Sequence, residues 1–309
     1  MGGIATRNIL LPEAPEPTAK TAPQKNKLQK IQTAFRALVA GAALSIISSA
    51  SADDVSGSAA DASSSLPKGK FVVGGGGFLP KQAIDFFVDS AGREHARIAV
   101  IPSASADAGA DTKVSSYFKG WENSGAKVWL AHAKDRTEAN SEEFLKQFDG
   151  VTGIWLGGGD QGTFMDLFLD TKFEKKLYEL SEQGVVIGGS SAGAAVMSRR
   201  MIRKGNPMPE IGVGLNFFEK FVFDQHHKTR NRLGRLLTAV EGTDCLGLGI
   251  DDGAVIMING PFATVLGGNV RLCRDNQEPY LLESGRTLNL ADFGKSTLRT
   301  EAGKGLLAR

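Results

Sequence analysis

The chain has 309 residues, of which 41% are hydrophobic and 23% charged, a globular composition that excludes a largely disordered or fibrous protein. Its 36 basic and 34 acidic residues leave a formal charge of +2, which gives no reason to expect a nucleic-acid partner. Two cysteines cannot build a disulfide scaffold or a four-cysteine zinc site.

Residues 1–24 are rich in Pro, Ala and Thr and lack apolar periodicity. A basic stretch with Lys25, Lys27, Lys30 and Arg36 then overlaps an apolar run at 34–50, which ends in Ala50-Ser51-Ala52. A positive segment, a short apolar segment and a small-residue cleavage site describe a signal for export to the periplasm or the cell exterior. The run is short for a membrane span, so no stable span is expected in the mature form. Met1-Gly2 with Thr6 also fits the permissive myristoylation pattern. The reading divides the chain into a leader at 1–52, a Ser/Ala/Asp-rich linker at 53–67 and one domain at 68–309. The leader holds six basic and two acidic residues, so the remaining 30 basic and 32 acidic residues make the rest formally −2.

Short apolar runs at 70–73, 96–101, 126–130, 153–156 and 185–187 predict strands, several ending at glycines. Helical patterns at 80–90, 110–124, 141–148, 161–168 and 172–183 separate them. Continuous apolar strands alternating with helices predict an α/β fold with a mainly parallel sheet between helical layers. After residue 210 the pattern changes to a helix at 225–240 and strands at 247–251, 254–258, 263–266, 270–274 and 281–288, read as a sheet edge and hairpins. Cys245 and Cys273 fall at strand-like positions, where a disulfide or two separate buried thiols are equally compatible with the sequence.

Three segments carry chemistry. Gly189-Ser190-Ser191-Ala192-Gly193 is a G-x-S-x-G pattern between a strand and a helix, the setting of a nucleophile elbow. The competing reading is a helix entry with Ser190 or Ser191 as N-cap. At 224–235, Asp224, His226, His227, Arg230, Arg232 and Arg235 place a base that a serine needs beside cations suited to carboxylates. The plainer reading is an amphipathic helix with a solvated basic face. A metal site on Asp224, His226 and His227 is disfavoured, because adjacent histidines diverge on a helix. Gly157-Gly158-Gly159-Asp160-Gln161 follows a strand and opens backbone N–H groups to an anion. The glycines at 74–77 fit no dinucleotide pattern and read as a sheet-end turn.

In order, Gly-Gly-Asp-Gln, Gly-Ser-Ser-Ala-Gly-Ala, Asp-Gln-His followed by three arginines, and Gly-Ile-Asp-Asp resemble the cyanophycinase branch of the S51 serine peptidases. The resemblance runs from about residue 70 to 288 and implies a fold similar to class I glutamine amidotransferases, with serine in place of their elbow cysteine. It implies Ser191 as nucleophile, His226 as base and Asp252 as third member, where the family carries a glutamate one methylene longer. Asp251 is the fallback for that third role. It further implies Gly159 and Ala192 as oxyanion donors, and Gln161, Asp224, Arg230, Arg232 and Arg235 as substrate-binding residues. Asp224 would meet a substrate guanidinium and the arginines its carboxylates. The implied reaction releases β-aspartyl-arginine from cyanophycin through an acyl-enzyme, with no metal or organic cofactor and with a homodimer as the family's common assembly. A related peptidase for other aspartyl or isoaspartyl peptides, and a non-catalytic binding protein on the same scaffold, are the alternatives.

Overall fold

Continuous apolar strands need cover on both faces, and the computed structural model shows what supplies it. It describes residues 69–105, 108, 121 and 125–290. The leader, the linker and, save Trp121, the predicted helix at 110–124 lie outside the described residues. The strands β1 (Lys70–Gly74), β2 (Arg97–Ile101), β3 (Lys127–Leu130), β4 (Gly153–Leu156) and β5 (Val186–Ser190) lie parallel in the order β1-β5-β4-β2-β3. Three further strands, β10 (Val255–Asn259), β11 (Phe262–Leu266) and β14 (Thr287–Asn289), extend this sheet antiparallel beyond β1. The result is the mainly parallel α/β sheet that the pattern predicts.

Side chains alternate across it. Val72, Ile98, Val100, Trp155 and Val186 pack with Phe87 of helix α1 (Lys81–Ser90) and with Trp121 on one face. Phe71, Val73, Ala99, Ile154, Leu156 and Ile187 point to the other. There they meet Phe144 of α3 (Glu142–Lys146), Phe164 and Phe168 of α4 (Gln161–Phe168) and Phe173 and Leu177 of α5 (Lys172–Glu182). The short helix α2 (Arg136–Ala139) precedes α3. Helices α2 to α5 each begin at a capping side chain, Asp135, Ser141, Asp160 and Thr171, whose oxygen accepts a first-turn N–H.

The C-terminal part departs from the expectation of edges and hairpins alone. The strands β8 (Phe221–Asp224), β9 (Leu246–Ile250), β12 (Val270–Cys273) and β13 (Tyr280–Leu282) form a second sheet, in the order β13-β12-β9-β8. Its inner face, with Phe221, Phe223, Leu246, Leu248 and Leu272, packs into the same core as Ile256, Ile258 and Val265 of the large sheet. Its outer face is covered by α7 (Leu233–Val240), where Leu236 and Val240 meet Val222, Cys245 and Cys273. Both cysteines are free and buried. The strand predicted at 281–288 is two strands, one in each sheet. A hairpin of β6 (Arg200–Lys204) and β7 (Glu210–Val213) was not foreseen at all.

Two more corrections bear on the site. The fifth strand does not stop at residue 187 but runs through Gly188 and Gly189 to Ser190. A Cβ at Gly188 would lie 2.4 Å from the Trp155 ring, so the missing side chain makes room for the indole. The helix predicted at 225–240 is regular only from Leu233. Residues 225–232 form irregular turns in which His226 and Asn231 have positive φ, and the N–H groups of His226 and His227 donate to Gly75 O and Ile250 O rather than to helical partners. Among the described residues no helix is long and apolar enough to cross a membrane.

Candidate active site

The site collects at the C-terminal ends of β1, β4 and β5 in one sheet and of β8 and β9 in the other, where open α/β sheets hold ligands. Ser191 stands between β5 and the one-turn helix α6 (Ala192–Ala195) with φ 55° and ψ −117°. That conformation is costly for a serine and is held by its surroundings. Ser191 N–H donates to Gly74 O at 3.0 Å. A Cβ at Gly193 would sit 2.0 Å from Leu156 O, and one at Gly189 2.5 Å from Gly193 O. The small residues of the elbow are therefore steric necessities. Ser191 stands at the N-cap position of α6, but its side chain accepts no helix N–H and is turned to His226 instead.

Ser191 Oγ lies 2.8 Å from His226 Nε2. The other ring nitrogen, Nδ1, bonds Asp252 Oδ1, and Asp252 Oδ2 accepts from the Thr229 hydroxyl. The three residues named from the resemblance are thus joined in one relay, with Asp252 reaching the imidazole despite its short side chain. Asp251 instead accepts Lys228 N–H at 3.1 Å. Burial works to raise the Asp252 carboxyl, but the hydrogen bonds from Thr229 and His226 and the charges of His226 and Arg230 outweigh it and hold it below the ordinary aspartate value.

Two supporting features escaped the sequence reading. Thr229 carries no chemical signature of its own, yet it fixes the second oxygen of Asp252. The glycines at 74–77 are more than a turn. His226 N–H donates to Gly75 O at 2.8 Å, Gly253 N–H donates to Gly76 O at 2.8 Å, and a Cβ at Gly76 would fall 2.1 Å from His226 Cε1. The imidazole lies directly on this backbone.

Across the cleft, Gly157 N–H donates to Ile101 O and Asp160 N–H to Ala104 O, at 2.9 and 2.7 Å. The intervening amides of Gly158 and Gly159, like that of Ala192, find no acceptor among the described residues. Gly158 is the nearer to the serine, since its Cβ would lie 3.4 Å from Ser191 Cβ. Such amides can hold a developing oxyanion. The help of α6 is confined to its first N–H groups, because a single turn carries little macrodipole.

The expected pocket residues divide. Gln161 is buried and its amide donates to Ile202 O at 2.8 Å, tying α4 to β6. Asp224 is wholly buried and receives the Arg235 guanidinium on both oxygens, with Arg232 Nη1 at 3.8 Å. Arg235 is 2% exposed, so neither it nor Asp224 presents its charge to the cleft. The expectation that Asp224 meets a ligand guanidinium is corrected by this closure, and that of a solvated basic face by the burial of Arg232 and Arg235. Arg232 donates to Gln225 O at 2.6 Å, and burial and then the charge of Arg235 bring its pKa down to about 10. Arg230 alone of the three is exposed. His227 lies buried against Gly249 with its Nδ1 3.5 Å from Asp224 Oδ2, and neither of its ring nitrogens makes a hydrogen bond among the described residues, so of the two adjacent histidines only His226 bonds a carboxylate.

Residues 71–266 match the sequence profile of peptidase family S51. The chain is 35% identical over 187 residues to a cyanophycinase of Synechococcus elongatus, covering 57% of this chain and 58% of that one. It is 32% identical over 183 residues to a cyanophycinase of Geminocystis herdmanii, covering 56% and 66%. The matches thus span about three-fifths of the length of these relatives. A crystal structure of a peptidase from an acI-B1 actinobacterium superposes with a TM-score of 0.58 at 18% identity, over 73% of this chain and 98% of that one, a likeness of fold.

Proposed function

The chain belongs to peptidase family S51, and from that premise we propose that it is a serine peptidase that releases β-aspartyl-arginine from cyanophycin. The observation that carries the reading is the Ser191–His226–Asp252 relay at a strained strand-to-helix elbow. With Nδ1 donating its proton to Asp252, Nε2 is free to accept the Ser191 hydroxyl proton. Ser191 Oγ attacks the scissile carbonyl, and the amides of Gly158, Gly159 and Ala192 receive the oxyanion. His226 then gives its proton to the leaving amine. Water, deprotonated by the same nitrogen, attacks the acyl-enzyme; collapse expels Ser191 Oγ, which recovers the proton from His226. Arg230 is the cation open to a substrate carboxylate, while Arg232, Arg235 and Asp224 shape the wall behind it.

Incubating the full chain with cyanophycin granules and analysing the products tests the reading. Release of β-aspartyl-arginine is expected, with loss of about three orders of magnitude or more in Ser191→Ala and His226→Ala. Undiminished release by Ser191→Ala would sink it. A second reading, hydrolysis of aspartyl or isoaspartyl peptides that lack arginine, is favoured by the closure of Asp224, which leaves that carboxylate unable to greet a guanidinium. A panel of β-Asp-X and Asp-X peptides separates the two by the identity of the best substrate.

Export of the mature part and its assembly as a homodimer belong to the same proposal. Cleavage after Ala52 is read by N-terminal sequencing of the protein outside the cytoplasm, and the assembly by its sedimentation.

A further inference from the structure

We propose that Ser103 and His132 form a positioning pair that aims the amides of Gly158 and Gly159 at the reacting carbonyl; the proposal rests on the peptidase reading above. Ser103 follows β2, which pairs with β4, and His132 follows β3, the edge strand beyond β2. Ser103 Oγ lies 3.0 Å from His132 Nδ1. This is a serine–histidine pair outside the relay of Ser191, but Ser103 is only 3% exposed, so it has no approach to a polymer substrate. Its use is to hold backbone.

What it holds is a tight turn. Ser105 N–H donates to Pro102 O at 2.8 Å, and the carbonyl of the intervening Ala104 accepts Asp160 N–H at 2.7 Å. The glycine loop lies on this turn: a Cβ at Gly157 would be 3.0 Å from Ile101 O, and one at Gly159 only 2.0 Å from Ala104 O. Gly159 has φ +139°, a conformation that this contact imposes and only glycine takes easily. The direction of the Gly158 and Gly159 amides is therefore set by where Ala104 O sits. The Ser103–His132 bond clamps the residue before Ala104 to the end of β3. Burial lowers the pKa of His132, with Glu138 opposing, so the ring is neutral in neutral solution and bonds the hydroxyl without adding a charge.

Steady-state kinetics of the full chain test this. Ser103→Ala and His132→Leu are expected to lower kcat by about 10- to 100-fold with KM changed less than about twofold, since misdirected donors cost transition-state binding rather than ground-state binding. Ser103→Thr and His132→Asn, which return a hydroxyl and a nitrogen to the same places, should restore most of kcat. The double variant should be no slower than the slower single one. Unchanged kcat in both single variants overturns the proposal, as does a loss that tracks a fall in thermal stability and is not restored by Thr or Asn. Ser191→Ala runs beside them. Wild-type turnover that depends on Ser191, with indifferent Ser103 and His132, overturns the pair alone, whereas the absence of Ser191-dependent turnover overturns the peptidase reading and the pair's role with it.

Discussion

At Asp252 one carboxylate faces two donors, His226 and Thr229, and one nearby cation, Arg230. Its pKa lies below that of an unfolded aspartate, about 3.9. A depressed pKa contributes stability that is fully present above the unfolded value and is lost as pH falls through the folded one. Thr229→Val removes one of the causes, so the stability it loses in acid should be smaller, and the loss complete at a higher pH, than in the wild type. Urea midpoints measured against pH should differ most above about pH 5 and converge in strong acid. A constant difference across the range would mean that Thr229 acts by packing alone. Gly76 gives a sharper case. Alanine there must displace the His226 ring and take up φ +122°, so Gly76→Ala is expected to abolish turnover and destabilise the fold. Retained turnover would show that the imidazole does not rest on this backbone. Neither residue was legible beforehand. A threonine among charged residues has no distinctive spacing, and a glycine run after a strand is usually only a turn.

At the scale of elements, the turns at 225–232 and α7 are organised around the buried carboxylate of Asp224. Removing one partner from a buried ion pair leaves an uncompensated charge, so Asp224→Asn should cost about 3–5 kcal/mol in chemical denaturation. The double change Asp224→Leu with Arg235→Met should cost less than the two single changes added together. Additive losses would mean that the pair is not coupled. The parallel strands and the helices at 161–168 and 172–182 were legible because their apolar patterns are strong and local. The helix expected at 225–232 was not realised, because the periodicity of leucines from 233 onward says nothing about residues whose hydrogen bonds go to Gly75 and Ile250. The hairpin of β6 and β7 escaped for the opposite reason: Arg200–Lys204 is mostly charged, and its apolar cover comes from distant parts of the chain. The relay itself was legible through motif order, whereas the inward turn of Asp224 and Arg235 depended on packing that no motif encodes.

For the whole molecule, which sheet a strand joins was the least legible fact. The segment predicted as one strand at 281–288 feeds both sheets, since long-range pairing rather than local pattern decides its partners. Gly188 tests how tightly the large sheet is fitted. An alanine Cβ would press on Trp155 and Phe87, and overpacking of this kind costs about 1–3 kcal/mol, so Gly188→Ala should lower the global unfolding midpoint seen by tryptophan fluorescence and circular dichroism alike. A shift in fluorescence alone would locate the effect in one face of the sheet.

The serine rides on the large sheet, the histidine on the small one, and Asp252 on the segment that crosses between them. The 2.8 Å between nucleophile and base is therefore a measure of how the two sheets register, through the bond of His226 N–H to Gly75 O and along an apolar seam lined by Phe221, Phe223, Leu248, Ile256 and Val265. A genetic screen for inactive alleles should then return two populations. One changes the reacting groups; the other alters greasy residues of the seam, far from any ligand, in proteins that accumulate normally and yet turn nothing over.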